Sequence, residues 1–195
     1  PATIEDYLVG LYQGVRGLKI AYSPNLGYVS VDPEIAASVE QAVAVFEELG
    51  ATVEQVDPGF DDPREAFDIL FYGGAANAMR DLGPEQRERM DPGLVEVAEW
   101  AEQLSLLDYL GAQNERAALI ERMNLFHSRY DLLLTPSLPI PAFTAGLEVP
   151  EGWHSKRWPS WTPFTYPFNM TGQPAASVPC GFTGSGLPIG LHVVG

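Results

Sequence analysis

The side chains with chemistry to offer are few: His127, His154 and His192, the lone Cys180, Lys19 and Lys156, and a tryptophan-rich stretch late in the chain. No two histidines share a metal-ligand spacing, and no Cys pair exists, so no metal site is expected. His127 falls near the end of a predicted helix, where it packs or favours the helix dipole. His192 falls inside a predicted strand. His154-Ser155-Lys156 sets three reactive types side by side. Neighbours in a loop point different ways, so an exposed loop is the simpler reading than a catalytic dyad. Gly184-Ser185-Gly186 lacks the frame of a nucleophile elbow and reads as a turn. Cys180, between Pro179 and Gly181, reads as a small buried residue at a strand end. Asp57, Asp61 and Asp62 read as solvated turn and cap residues. Gly73-Gly74 sits in a helical pattern without the Lys-Ser/Thr tail of a phosphate loop. No cofactor is expected.

The aromatic stretch differs. Trp153, Trp158, Trp161, Phe164, Tyr166 and Phe168 fall within sixteen residues. Such rings bury large areas, and Trp and Tyr keep a polar tip. Three readings follow: a loop stapled to its own core, a wall of an apolar ligand pocket, or a partner interface.

These residues must be held by an α/β framework. Residues 17–22 read as a strand, closed by Ser23-Pro24-Asn25. Asp32-Pro33 marks a helix start, Ile35, Val39, Ala42, Phe46 and Leu49 one apolar face, and Gly50 its end. Residues 51–56 form the next strand, completing a βαβ unit. Helices follow from Pro63 towards Leu82, from Asp91-Pro92 through Trp100, and from about Asp108 to Arg129. The last buries a stripe of Ala112, Leu119, Met123 and Phe126. Residues 131–135 form a short buried strand stopped by Pro136. Residues 136–168 are a Pro/Trp-rich loop. Residues 175–179 and 187–194 are two more strands. Pro174 and Pro179 argue that the first is short. Residues 1–16 suggest a short helix through Ile4, Leu8 and Leu11. The expected fold is a mixed β-sheet flanked by helices, with 1–195 as one α/β unit.

Composition narrows the function. The chain has 195 residues, 46% apolar and 19% charged, which suits a folded globular protein. A net charge of −15 repels phosphate backbones and anionic lipid heads, so neither nucleic acid nor a membrane is an expected partner. No apolar run approaches the ~20 residues of a spanning helix. A single cysteine excludes an internal disulfide and fits a reducing, cytoplasmic setting. Pro1 is not an initiator Met, so the chain is expected to derive from something longer.

The C-terminal third resembles the amidase signature family. The resemblance rests on PFNMTGQPAASVPCGF from Pro167 to Phe182, on GLPIGLHVVG from Gly186 to Gly195, and on YDLLLTP from Tyr130 to Pro136. The βαβ unit at 17–56 is similar to the segment that opens the second half of these enzymes. The fold implied is the C-terminal portion of the amidase signature fold. The activity implied is hydrolysis of a small carboxylic amide to an acid and ammonia or an amine, through a Ser acyl-enzyme. Members are more than twice this length, and their Lys, cis-Ser and nucleophilic Ser lie in a half with no counterpart here. No catalytic residue is therefore carried over, and the chain alone is expected to be inactive. In the A subunits of amidotransferases the position seven before the block's Asn is commonly an Asp that reads a substrate amino group. Here it is Thr162, which favours a stand-alone amidase over a glutamyl-tRNA amidotransferase A-like component. Trp161, Thr162 and Phe168 are the residues expected to touch the substrate acyl group. Asn169 is assigned to tying a turn. A non-catalytic small-molecule binding module and a scaffold that uses the aromatic loop as an interface are the remaining alternatives. Strand edges and pocket walls left open predict a homo-oligomer or larger assembly.

Overall fold

The computed structural model describes residues 10–195. The expected N-terminal helix falls largely on residues 1–9, outside the described part. Residues 10–12 form a turn.

The chain runs β1 (Lys19–Tyr22), α1 (Pro33–Glu48), β2 (Thr52–Gln55), α2 (Arg64–Met79), α3 (Pro84–Arg87), α4 (Pro92–Ala101), α5 (Leu106–His127), β3 (Leu132–Pro136), α6 (Tyr166–Thr171), β4 (Ala175–Phe182) and β5 (Pro188–Val194). The five strands form one mixed sheet in the order β2-β1-β3-β5-β4. β1 lies parallel to β2 and β3, whereas β5 is antiparallel to both β3 and β4.

Local chemistry explains the helices nearest the site. The Asp32 carboxylate accepts from the Glu34 amide at 2.8 Å, and Pro33 opens α1. Gly50, at φ 95°, takes the left-handed conformation just past its end. Ser105 and Asp108 close a reciprocal capping box on α5. The predicted stripe of Ala112, Leu119, Met123 and Phe126 is the buried face of α5.

Alternation along the strands divides the core. Ile20, Tyr22 and Leu134 pack against Ile35, Val39 and Val43 of α1. Ala21, Leu133 and Val194 face the other way, onto Met123, Phe126, Phe164 and Phe168. The sheet is thus covered by α1 on one face and by α2, α5 and α6 on the other.

Several expectations are corrected. The second helix stops at Met79 rather than near Leu82, and a one-turn α3 occupies the expected break. The segment 136–168 is not all loop. Trp158–Trp161 forms a 3-10 turn, and α6 begins at Tyr166. Pro167 is tolerated in the first turn of α6, where its missing N–H has no partner to lose, and Gly172 ends the helix at φ 75°. Six residues are too few for a helical period to show in the sequence. Asn169 is exposed and makes no side-chain hydrogen bond among the described residues. The turn is tied instead by Thr171, whose hydroxyl contacts the Phe168 carbonyl at 3.2 Å and Gln173 Oε1 at 2.9 Å. β4 continues to Phe182, past Pro179, through an irregularity between Pro179 and Gly181. Proline is permitted there because, among the described residues, β4 is an edge strand with no ladder on its outer side.

Candidate substrate-binding cleft

β3 ends at Pro136, and the chain passes directly into the cleft. The Ser137 amide donates to the Gly190 carbonyl at 2.9 Å, which extends the β3–β5 pairing by one step. The hydroxyl of Ser137 then meets that of Ser177 on β4 at 2.7 Å. Gly190 adjoins the pair. A Cβ at this position would stand 2.7 Å from Ser177 Oγ and 2.8 Å from Ser137 Oγ, so only glycine leaves room for both.

The two hydroxyls border a mainly apolar cleft of about 490 Å³. Its walls include Ile35, Phe143, Trp161 and Ile189. Trp161 meets Phe143 edge-on at 5.4 Å, and its indole N–H donates to the Glu148 carbonyl at 3.1 Å. Its orientation is therefore set at both ends. A cavity of this size and composition suits the uncharged portion of a small molecule.

The three residues expected to touch substrate are placed differently. Trp161 lines the cleft. Thr162 is buried, and its hydroxyl donates to the Pro159 carbonyl at 2.8 Å, closing the 3-10 turn that carries Trp161. Phe168 is buried in the core beneath α5, outside the cleft lining, with its ring 5.6 Å from that of His192.

The tryptophan-rich segment is stapled down by a residue that sequence reasoning passed over. The Arg157 guanidinium lies 3.8 Å from the centre of the Trp100 ring and 5.2 Å from that of Tyr72. It also reaches Asp68 at 3.5 Å. Trp158 packs edge-on against Phe71, and the Trp153 indole donates to Ser160 Oγ at 2.8 Å. The only signal in the sequence was a rare cation beside tryptophan in an acidic chain.

The other reactive residues do not assemble. His154 and Lys156 are exposed, and no hydrogen bond joins the side chains of His154, Ser155 and Lys156. Ser155 Oγ instead accepts from the Arg157 amide at 3.2 Å. His192 is buried with Nδ1 3.4 Å from Thr135 Oγ1, and burial pushes its pKa down to about 4. His127 holds the Tyr130 carbonyl through Nδ1 at 3.2 Å, and burial lowers its pKa as well. Cys180 is half-buried, and burial pushes its thiol up, away from the reactive thiolate. Among the described residues no three His, Cys, Asp or Glu side chains group as a metal site. No described helix is long and apolar enough to cross a membrane.

The family model described as Amidase matches residues 2–195. The chain belongs to the amidase family. An acylamidase of Rhodococcus erythropolis is 36% identical over 99% of this chain and 42% of its own length. The A component of a glutamyl-tRNA(Gln) amidotransferase from Myxococcus xanthus is 31% identical over 100% of the chain and 44% of its own. Among solved structures, a bacterial aryl acylamidase of the amidase signature enzymes superposes with a TM-score of 0.84 at 31% identity, over 97% of this chain and 42% of the other. The mixed sheet with flanking helices is the fold of these amidase signature enzymes. The chain spans 42 to 44% of the length of these relatives.

Proposed function

We propose that this chain is the C-terminal part of an amidase that hydrolyses a carboxylic amide through a serine acyl-enzyme, and that it supplies sheet and one wall of the acyl pocket. The observation that carries the reading is the apolar cleft beside Trp161. Ser137, Ser177, Pro179 and Pro188 line it, within or next to the blocks 130–136, 167–182 and 186–195 that carry the family resemblance. Trp161 is the direct contact with the acyl group. Thr162 acts by closing its turn, and Phe168 by supporting the strands beneath. The nucleophile, its base and the oxyanion donors belong to the part of the family's length that this chain does not span. The chain alone is inactive in this reading.

Thr162 also bears on substrate class. It is neutral, and its hydroxyl is engaged. It offers no charge to a substrate ammonium, which favours a stand-alone amidase over a transamidating complex. In the same reading the enzyme is cytoplasmic and assembles further. β4 leaves an outer edge with no charged residue, and Val178 and Phe182 are exposed. In the chain by itself, where this edge has no remainder of the sheet to pair with, a second copy covers it.

The test compares this chain with a polypeptide that also carries the remainder of the family length. Both are treated with a serine-directed fluorophosphonate and with p-nitroanilides of short and bulky acids. Labelling and p-nitroaniline release by the longer polypeptide alone are expected. Trp161→Ala in that polypeptide lowers kcat/KM for the bulky anilide about tenfold and spares the acetanilide. Labelling of the 195-residue chain by itself overturns the reading.

A further inference from the structure

The loops that follow β1, β2 and β3 leave the carboxyl ends of three parallel strands on one side of the sheet. The loop after β1 leads through α1 to β2, while the chain after β3 leaves towards β4 and β5. Where neighbouring connections diverge in this way, an open α/β sheet has a crevice that takes ligands. A crevice of about 650 Å³ lies at this point. Tyr28, Trp153 and Tyr166 line it, together with Asp62 and Arg64 from the junction between the loop after β2 and α2.

The charges in the crevice are not balanced. The positive end of α1 is already closed by its own Asp32 carboxylate, which accepts from the Glu34 amide. Arg64 gives its Nε to Asp68 at 2.7 Å, which offsets its charge, and its guanidinium lies 5.8 Å from the centre of the Tyr166 ring. Asp62 differs. One of its oxygens accepts from the Tyr166 hydroxyl at 2.5 Å and from the Arg64 amide at 3.1 Å. Both donors are neutral groups, so neither cancels the charge of the carboxylate. The second oxygen of Asp62 has no hydrogen bond among the described residues.

We propose that this crevice binds a primary ammonium carried on a flat apolar body, with the Asp62 carboxylate as counter-ion and Tyr28, Trp153 and Tyr166 as its walls. An ammonium donates to the open oxygen of Asp62 while aromatic rings line the space around it, an arrangement that favours cations over neutral isosteres. Nearby carboxylates add to the preference. Burial, and then the charges of Glu65 and Asp62, push the Glu115 carboxyl above its usual range, which places two carboxylates of one sign close together on this side of α2. The proposal does not depend on amide hydrolysis by the longer enzyme.

The test titrates the 195-residue chain with phenethylamine, phenethyl alcohol and phenylacetate, following the Trp153 indole N–H by NMR. Saturable binding of the amine, with the alcohol and the acid at least about tenfold weaker, is the expected result. Asp62→Asn keeps an acceptor for Tyr166 and Arg64 but removes the charge, and it should weaken the amine about tenfold or more. Glu47→Gln, at the far end of α1, should leave the affinity unchanged. Equal binding of amine and alcohol overturns the proposal, as does tighter binding of phenylacetate, or an equal loss in Glu47→Gln. No shift of Trp153 in the folded chain at about 10 mM amine also overturns it. Should Asp62→Asn fail to fold, the amine and alcohol on the unaltered chain decide the matter.

Discussion

The guanidinium of Arg157 rests 3.8 Å from the centre of the Trp100 ring, joining the tryptophan-rich segment to α4. Its neighbour Trp158 meets Phe71 of α2, so two adjacent residues fix the segment to two helices. The 3-10 turn that presents Trp161 begins at Trp158. Arg157→Ala is expected to cost about 1 to 2 kcal/mol, through lost cation–π and packing contacts. Chemical denaturation measures the loss. Arg157→Lys should recover only part of it, because an ammonium cannot stack as a planar guanidinium does.

His192 makes stability depend on pH in a defined window. Its folded pKa is pushed below the usual histidine value, to about 4, so the unfolded chain takes up the proton more readily. Its contribution is fully present above pH about 6.5 and is lost as the pH falls towards 4. Below that, both states are protonated and the loss stops growing. The full loss is roughly 3 kcal/mol. Urea midpoints at pH about 7 and about 4.5 should differ less in His192→Leu than in the unaltered chain. His127, also lowered by burial, remains in both and cancels in the comparison.

Gly190 is a packing requirement rather than a backbone one. A Cβ there would meet both Ser177 Oγ and Ser137 Oγ, at 2.7 and 2.8 Å. Gly190→Ala should destabilise by about 1 to 3 kcal/mol. Combining it with Ser177→Gly should return part of that loss, and a double-mutant cycle by thermal unfolding measures the coupling.

The outer edge of β4 tests assembly. Val178 is 47% exposed on a strand with no charge along its length. Val178→Lys places a gatekeeping charge on that edge. Light scattering should show a smaller assembly than for the unaltered chain, with the far-ultraviolet spectrum unchanged. β2, the opposite edge, carries Glu54 and Gln55 and should respond little to a lysine at its exposed Thr52.

Much of the framework was legible because its signals are local. Asp32-Pro33 and Gly50 bracket α1, and the stripe from Ala112 to Phe126 gives the buried face of α5, because caps and helical periods are set within a few residues. α6 was not legible, since Tyr166–Thr171 is shorter than two turns and carries a proline in its first turn. The inward turn of Thr162 and Phe168 was hidden for another reason. In an irregular segment no period tells which side chains face a cleft and which face the core.

The order and type of the main elements, the family, and the candidacy of Trp161 were written in the sequence by itself. Each depends on residues close together along the chain. The site was decided by tertiary structure. Ser137 meets Ser177 across 40 residues, and Asp62 meets Tyr166 across 104. Such meetings depend on strand register and on where loops leave the sheet, and no spacing within either segment encodes them.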